Sequence, residues 1–168
     1  PGGYAAAFLA ADMGLTVTLI DPAENPGGVC LYRGCIPSKA LLHVARLIHE
    51  TADAGTWGVS FGKPKIDIDR MRQWKMDVVS GLTHGLGRLV VQRKITHIRA
   101  SAVFSDDQTL SLTDTDGKVS RLGFEHAILA TGSRSSEIEM FPPGDNRIWN
   151  SKKALDLESV PTTLLVVG

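Results

Sequence analysis

Apolar positions recur with a helical period over the first half of this chain and with a shorter, strand-like period from Ile95 onward. Residues 5–11 are strong helix formers, and Gly14 supplies a stop. Residues 15–20 form a short β-rich run closed by Asp21. Residues 22–28, Pro-Ala-Glu-Asn-Pro-Gly-Gly, have loop chemistry. Residues 38–54 read as a helix, with Leu41, Val44, Ala45, Ile48 and Ala52 on one apolar face. After a loop with Gly55, Gly58, Gly62 and Pro64, Asp67 or Asp69 caps a second long helix that reaches about Val91. Its stripe is Met71, Trp74, Val78, Leu82 and Leu86. Gly81, Gly85 and Gly87 predict a bend or fraying in its later part. Residues 95–104, 109–112 and 118–122 read as strands. The turn signal Asp114-Thr115-Asp116-Gly117 joins the last two. An apolar strand at 124–130, a short helix near 151–157 and a buried strand at 163–167 complete the pattern. There is no internal repeat and no low-complexity tract.

Composition narrows the possible functions. The 168 residues carry 18 Lys and Arg against 18 Asp and Glu, so the net charge is zero. Nucleic acids and membrane surfaces select for basic excess, and this balance argues against both as main partners. No apolar run approaches the ~18 residues of a membrane span. Two cysteines exclude a disulfide-rich secreted scaffold. The chain starts at Pro1 rather than Met and stops at Gly168 directly after an apolar run, which predicts a fragment.

A dinucleotide fingerprint is a strand, then G-x-G-x-x-G opening a helix, then an acid about 20 residues on. The chain holds what would follow the first two glycines: Gly2 and Gly3, an Ala-rich helix, a second strand and Asp21 at its end. Gly3 would be the third glycine, whose missing side chain lets helix and strand pack closely. Asp21 would accept hydrogen bonds from ribose hydroxyls. An ordinary β-α-β unit whose glycines cap a turn explains the same residues.

Residues 27–39, Gly-Gly-Val-Cys-Leu-Tyr-Arg-Gly-Cys-Ile-Pro-Ser-Lys, are the richest stretch. In a regular helix the i, i+5 spacing of Cys30 and Cys35 turns about 140° and separates the Cα atoms by about 8–9 Å. Disulfides want roughly 4.4–6.8 Å, so a bridge needs a distorted turn. Gly34 loosens the backbone. Pro37 removes a hydrogen bond that would otherwise reach back to the carbonyl of Arg33. A small, distorted ring of this kind opens easily and suits a catalytic disulfide. Half of a zinc site, two inert thiols or a static disulfide are the alternatives. Zinc is disfavoured because His43, His49, His84, His97 and His126 are scattered and no third Cys exists, so no metal is expected.

Extended to Ala40-Leu41-Leu42-His43, the stretch resembles the active-site segment of the class I flavin-dependent pyridine nucleotide-disulfide oxidoreductases, and within them the dihydrolipoamide dehydrogenases. The resemblance covers the whole chain. Residues 1–21 resemble that family's first FAD unit and residues 96–104 the strand that returns to the flavin. Residues 127–134, Ala-Ile-Leu-Ala-Thr-Gly-Ser-Arg, resemble its second FAD motif, and residues 163–168 the strand that opens its NAD domain.

This resemblance implies an α/β fold of Rossmann-like FAD/NAD(P)-binding type, a parallel sheet with helices plus a small antiparallel β-meander, truncated at both ends. It implies an FAD-binding domain over 1–162 and the first strand of an NAD-binding domain over 163–168. Cys35 would be the sulfur beside the flavin, a charge-transfer thiolate, and Cys30 the outer interchange thiol. Lys39 would lie near the reactive edge of the isoalloxazine. Asp21 would hold the adenosine ribose, with Gly3 as the third glycine of the FAD fingerprint. The chain at Gly28 and Val29 would pass the diphosphate and ribityl. Ala102 would meet the adenine through its backbone, and Thr131, Gly132 and Ser133 would approach FAD. Gly168 would be the first glycine of the NAD fingerprint.

The sequence departs from the family at Tyr32, usually Asn, at Val29, often Thr, and at Ser135, commonly Pro. Val29 leaves only backbone for FAD. Arg33 reads as a solvated charge rather than a tuner of the thiols. The implied activity is oxidation of protein-bound dihydrolipoamide to lipoamide through a Cys30–Cys35 redox disulfide and FAD, with NAD+ as acceptor. The implied partner is a lipoyl-bearing acyltransferase of a 2-oxo acid dehydrogenase complex or a glycine-cleavage carrier. The implied setting is a homodimer in the bacterial cytoplasm or the mitochondrial matrix. The family's catalytic His-Glu pair belongs to a further domain, so none of the five histidines takes that role. A mercuric or glutathione-type reductase is the alternative enzyme. A non-catalytic nucleotide-binding module is the alternative for the isolated fragment.

Overall fold

The structure is a computed structural model that describes residues 1–136, 138, 140–142 and 144–167. In chain order its elements are α1 (Gly2–Asp12), β1 (Thr18–Ile20), α2 (Gly28–Arg33), α3 (Cys35–Asp53), a 3₁₀ turn (Ala54–Trp57), α4 (Ile68–Gln92), β2 (Thr96–Ile98), β3 (Ala100–Phe104), β4 (Thr109–Asp114), β5 (Val119–Gly123) and α5 (Ser151–Asp156). They sort into two compact units, one of residues 1–29 and 81–133, the other of residues 30–80 and 134 onward.

In the first unit two helices end alike. Leu15 N donates to Ala10 O at 3.0 Å and Gly14 N to Ala11 O at 2.9 Å, closing α1, with Gly14 at φ +89° as the predicted stop. Ile95 N donates to Val90 O at 3.1 Å and Lys94 N to Val91 O at 3.0 Å, closing α4 with Lys94 at φ +57°. Each closure satisfies two carbonyls that a helix end otherwise orphans. Each then releases the chain into a strand. β1 and β2 pair in parallel, Thr18 with Thr96 and Ile20 with Ile98. Ala7, Val90 and Ile95 form the core beneath, with Phe8, Ala11, Val17 and Leu19 packed on it. Arg93 clamps Asp12 through two hydrogen bonds of 3.0 and 3.2 Å and lies over the Phe8 ring.

The predicted strand at 95–104 is two strands. It divides at Arg99, so that β2 joins the parallel pair while β3 opens an antiparallel sheet ordered β3-β4-β5. The predicted turn closes β4 onto β5. Asp114 Oδ1 accepts from Asp116 N and Lys118 N at 2.9 and 2.8 Å, and Gly117 takes φ +82°. The fold is therefore α/β, with a parallel pair and an antiparallel meander, as expected.

Two expected strands do not form. Residues 124–130 and 163–167 join neither sheet among the described residues. Ile128 and Leu129 are each 72% exposed, and Leu164 to Val167 are similarly open. Apolar content marks a segment as fit for a sheet, but a strand exists only where a neighbouring ladder receives its N–H and C=O groups.

The second unit holds α3, the first part of α4, and α5. Asp67 is the cap of α4: its Oδ1 accepts from Arg70 N at 3.0 Å. α4 then runs unbroken to Gln92, so its three glycines neither end nor interrupt it. Its inward face differs from the apolar stripe. Trp74 and Leu82 are exposed, while Lys75 and Thr83 are buried. Lys75 is buried because its Nζ donates to Leu155 O, 2.5 Å away in the last turn of α5, where a cation meets the negative end of that helix. Burial holds the Lys75 ammonium below its ordinary range, against the opposing pull of Asp156. Asn150 caps the other end of α5, accepting from Lys153 N at 3.0 Å. Among the described residues no helix is long and apolar enough to cross a membrane.

Candidate active site

The two cysteines sit on either side of a helix break. Cys30 is the third residue of α2 and Cys35 the first of α3, with Gly34 between the two helices. The sequence anticipates the distorted turn but not α2, and it starts α3 three residues late. Pro37 explains the earlier start. In the first turn its missing N–H costs nothing, and its fixed φ suits a helix. Leu31 in α2 and Pro37 and Ala40 in α3 are buried. Ser38 fastens the turn: its N donates to Gly34 O at 3.1 Å and its hydroxyl to Cys35 O at 3.0 Å.

This arrangement separates the sulfurs chemically. Cys30 is half-buried and Cys35 exposed, and both are thiols. The Cys30 thiol is pushed above its ordinary range, first by a hydrogen bond with the Cys35 side chain, then by burial and by repulsion from Cys35 charge. The Cys30 thiol therefore holds its proton more tightly than an isolated cysteine does. Cys35 opens the 19-residue α3, at the positive end of that helix's dipole. Cys35→Ala removes the first cause of the Cys30 shift. The pH midpoint of Cys30 alkylation by iodoacetamide should then fall, and an unchanged or higher midpoint would contradict the pairing.

Lys39 is exposed and one turn beyond Cys35, so the two share a helix face. Arg33 ends α2 and is exposed, in keeping with a solvated charge. Cys30, Cys35 and Lys39 thus belong to the second unit.

The residues expected to meet FAD, apart from Lys39, belong to the first unit. Asp21 ends β1. Its N donates to Ile98 O at 3.1 Å, and its Oδ1 accepts from Ala23 N at 2.9 Å, which turns the chain into the 22–28 loop. Gly3 and Ala130 touch: a Cβ on Gly3 would stand 3.4 Å from that of Ala130 and 4.0 Å from Leu19 Cδ1. The opening of α1 is therefore close to Ala130, from which the chain runs on into Thr131, Gly132 and Ser133, which are exposed, with Gly132 at φ +75°. Gly28 takes φ +62°, and a Cβ there would approach Pro1 N to 3.2 Å. Val29 follows it, half-buried. Ala102 lies exposed at the middle of β3, opposite Leu112. Gly132 has a left-handed φ and, among the described residues, nothing within 4 Å of where a Cβ would stand, the bare backbone that a nucleotide diphosphate needs for close approach, so the residues present fit the cofactor. Gly168 lies outside the described residues.

Sequence reasoning missed the buried Lys75. Helical spacing put Trp74 inward, and only the partner carbonyl on α5 reveals the difference.

Comparison with known proteins matches this geometry to a family. Its profile, described as pyridine nucleotide-disulphide oxidoreductase, covers residues 1–168. Dihydrolipoyl dehydrogenases from Buchnera aphidicola and Haemophilus influenzae are each 45% identical over 168 residues, all of this chain and 35% of theirs. The Haloferax volcanii dihydrolipoyl dehydrogenase is 40% identical over 170 residues. The chain thus spans about a third of the length of the curated relatives it matches. A crystal structure of LpdA from Mycobacterium tuberculosis shares the fold, with a TM-score of 0.83 at 22% identity over 96% of this chain and 36% of that one. The chain belongs to the pyridine nucleotide-disulphide oxidoreductase family.

Proposed function

We propose that this chain supplies the FAD-binding and disulfide-exchange part of a dihydrolipoyl dehydrogenase, which oxidises protein-bound dihydrolipoamide with NAD+. The observation that carries the reading is the thiol pair across the α2–α3 break, with Cys35 at the helix N-terminus and Cys30 holding the proton.

A dihydrolipoyl thiolate attacks the Cys30 sulfur of the Cys30–Cys35 disulfide. The S–S bond breaks, and Cys35 leaves as a thiolate that the N-terminus of α3 stabilises. The second lipoyl thiolate attacks the lipoyl sulfur of the mixed disulfide. The lipoamide ring closes, and Cys30 departs and takes up a proton. The lipoyl group has lost two electrons and the cysteine pair has gained them. FAD, when bound, supplies the two-electron relay from this dithiol to NAD+. Gly3, Asp21, Gly28, Val29, Ala102, Thr131, Gly132 and Ser133 would hold it, and Lys39, one turn beyond Cys35, would face its reactive ring.

In this reading residues 1–162 serve as the FAD-binding domain and residues 163–168 open the NAD-binding domain. The working protein is a homodimer in the bacterial cytoplasm or mitochondrial matrix, served by a lipoyl-bearing acyltransferase or glycine-cleavage carrier. The test is substrate choice by the FAD-loaded, full-length protein. Reduction of NAD+ by dihydrolipoamide should exceed reduction of glutathione disulfide or mercuric ion by NADPH by about 10²-fold or more, a margin of about 3 kcal/mol in transition-state stabilisation. Preference for either of the other substrates would overturn the assignment.

A further inference from the structure

We infer that Lys75 is a positioning residue for the passage from the FAD-binding part of the chain into the NAD-binding domain; this rests on the function proposed above. Residues 134–167 make that passage, and among the described residues α5 is the regular element they contain. Its six residues cannot hold a helix alone, since isolated helices shorter than about 12–15 residues are marginal. None of them is buried, so apolar packing contributes little.

The two ends of α5 are held differently. At the start, Asn150 caps Lys153 N, and the Ser151 hydroxyl lies 3.2 Å from that of Ser135, both at the surface. At the finish, the buried Lys75 donates to Leu155 O. Water can replace a surface contact, but it cannot readily replace the partner of a buried cation. The Lys75 end is therefore the firm one. Asp156 attracts the same ammonium and Arg72 repels it, so the contact answers to charge as well as to shape. Leu157, two residues past the held carbonyl, takes φ +52°, the left-handed conformation that turns a chain away from a helix. Residues 158–162 then lead to 163–167, read as the opening strand of the NAD-binding domain. Holding the last turn of α5 thus fixes the point and the direction from which that segment sets out. Exchange at Cys30 and Cys35 is complete on α2 and α3, whereas delivery of electrons to NAD+ depends on where the second domain is placed.

The experiment uses the FAD-loaded, full-length protein and is read in two ways. Hydrogen exchange of the α5 amides measures the anchor itself. Rapid mixing separates reduction of the enzyme by dihydrolipoamide from its reoxidation by NAD+. Lys75→Met nearly keeps the length of the side chain and removes the charge. It should speed α5 exchange by about tenfold or more, slow reoxidation by about tenfold and leave reduction within about twofold of wild type. Lys75→Arg, which keeps a cationic donor, should stay within about threefold of wild type in all three. Equal loss in both half-reactions, reoxidation like wild type, unchanged α5 exchange, or Lys75→Arg no better than Lys75→Met would overturn the inference. Should Lys75→Met fail to fold, Asp156→Asn decides. Faster α5 exchange and slower reoxidation, each by about threefold, with reduction unchanged support the inference, and any other pattern refutes it. Wild-type protein that dihydrolipoamide does not reduce would instead retire the proposed function, and the α5 exchange rates would then stand as the test of the anchor.

Discussion

Cys35→Ser in the full-length protein is expected to lower dihydrolipoamide-dependent NAD+ reduction by about 10⁴-fold or more, the scale of removing a reacting group from a catalytic unit. Serine cannot form the disulfide that dihydrolipoamide opens, nor leave as a stabilised anion from the N-terminus of α3. Cys30→Ser should be equally damaging, since it removes the sulfur that dihydrolipoamide is proposed to attack. Loss in one variant only, or activity above about 1% of wild type in either, would show that the pair does not act as a unit. A second readout is independent of turnover. Thiol titration of wild-type protein should find two fewer thiols after treatment with excess lipoamide than after treatment with dihydrolipoamide, and this difference should vanish in both variants.

Gly28→Val is expected to weaken FAD binding by about 10²-fold, through two additive causes. A left-handed conformation costs an L-residue roughly 1–2 kcal/mol, more when β-branched. The new side chain also meets the Pro1 backbone N at 3.2 Å and Pro1 Cδ at 3.4 Å, and overpacking of this kind costs about 1–3 kcal/mol. Gly28→Ala should fall between wild type and Gly28→Val. FAD titration of the apoproteins reads all three, and affinity within about threefold of wild type for Gly28→Val would overturn the role given to this glycine.

Local devices were legible in the sequence. Gly14 as a stop, Asp67 as a cap and the Asp114–Gly117 turn are each satisfied by atoms a few residues away. The cysteine turn was legible for the same reason, since Gly34 and Pro37 act on their own neighbours. What depended on distant atoms was not. Residues 124–130 look like a strand in composition, but no described segment lies beside them as a ladder. Trp74 looked inward by spacing, yet Lys75 is buried because a carbonyl 80 residues away receives it. Gly87 looked like a weak point in α4 and is the place where the Asn25 side chain comes close to the helix. The candidate site divides likewise. Its residue types could be read from the chain, whereas the meeting of Gly3 with Ala130 required the fold.

The switch of sheets at Arg99 also makes the chain a ruler. Ile98 receives the Asp21 N–H, and Ala102 stands four residues later on the far side of the switch. Four residues span at most about 14 Å when fully extended. In the proposed function, the backbone that would meet the adenine thus stays within about 14 Å of Ile98, which receives the Asp21 N–H. The reach from Asp21 to Ala102 combines four residues of chain from Ile98 to Ala102 with one ladder hydrogen bond from Asp21 to Ile98, so it holds for as long as β1 and β2 stay paired.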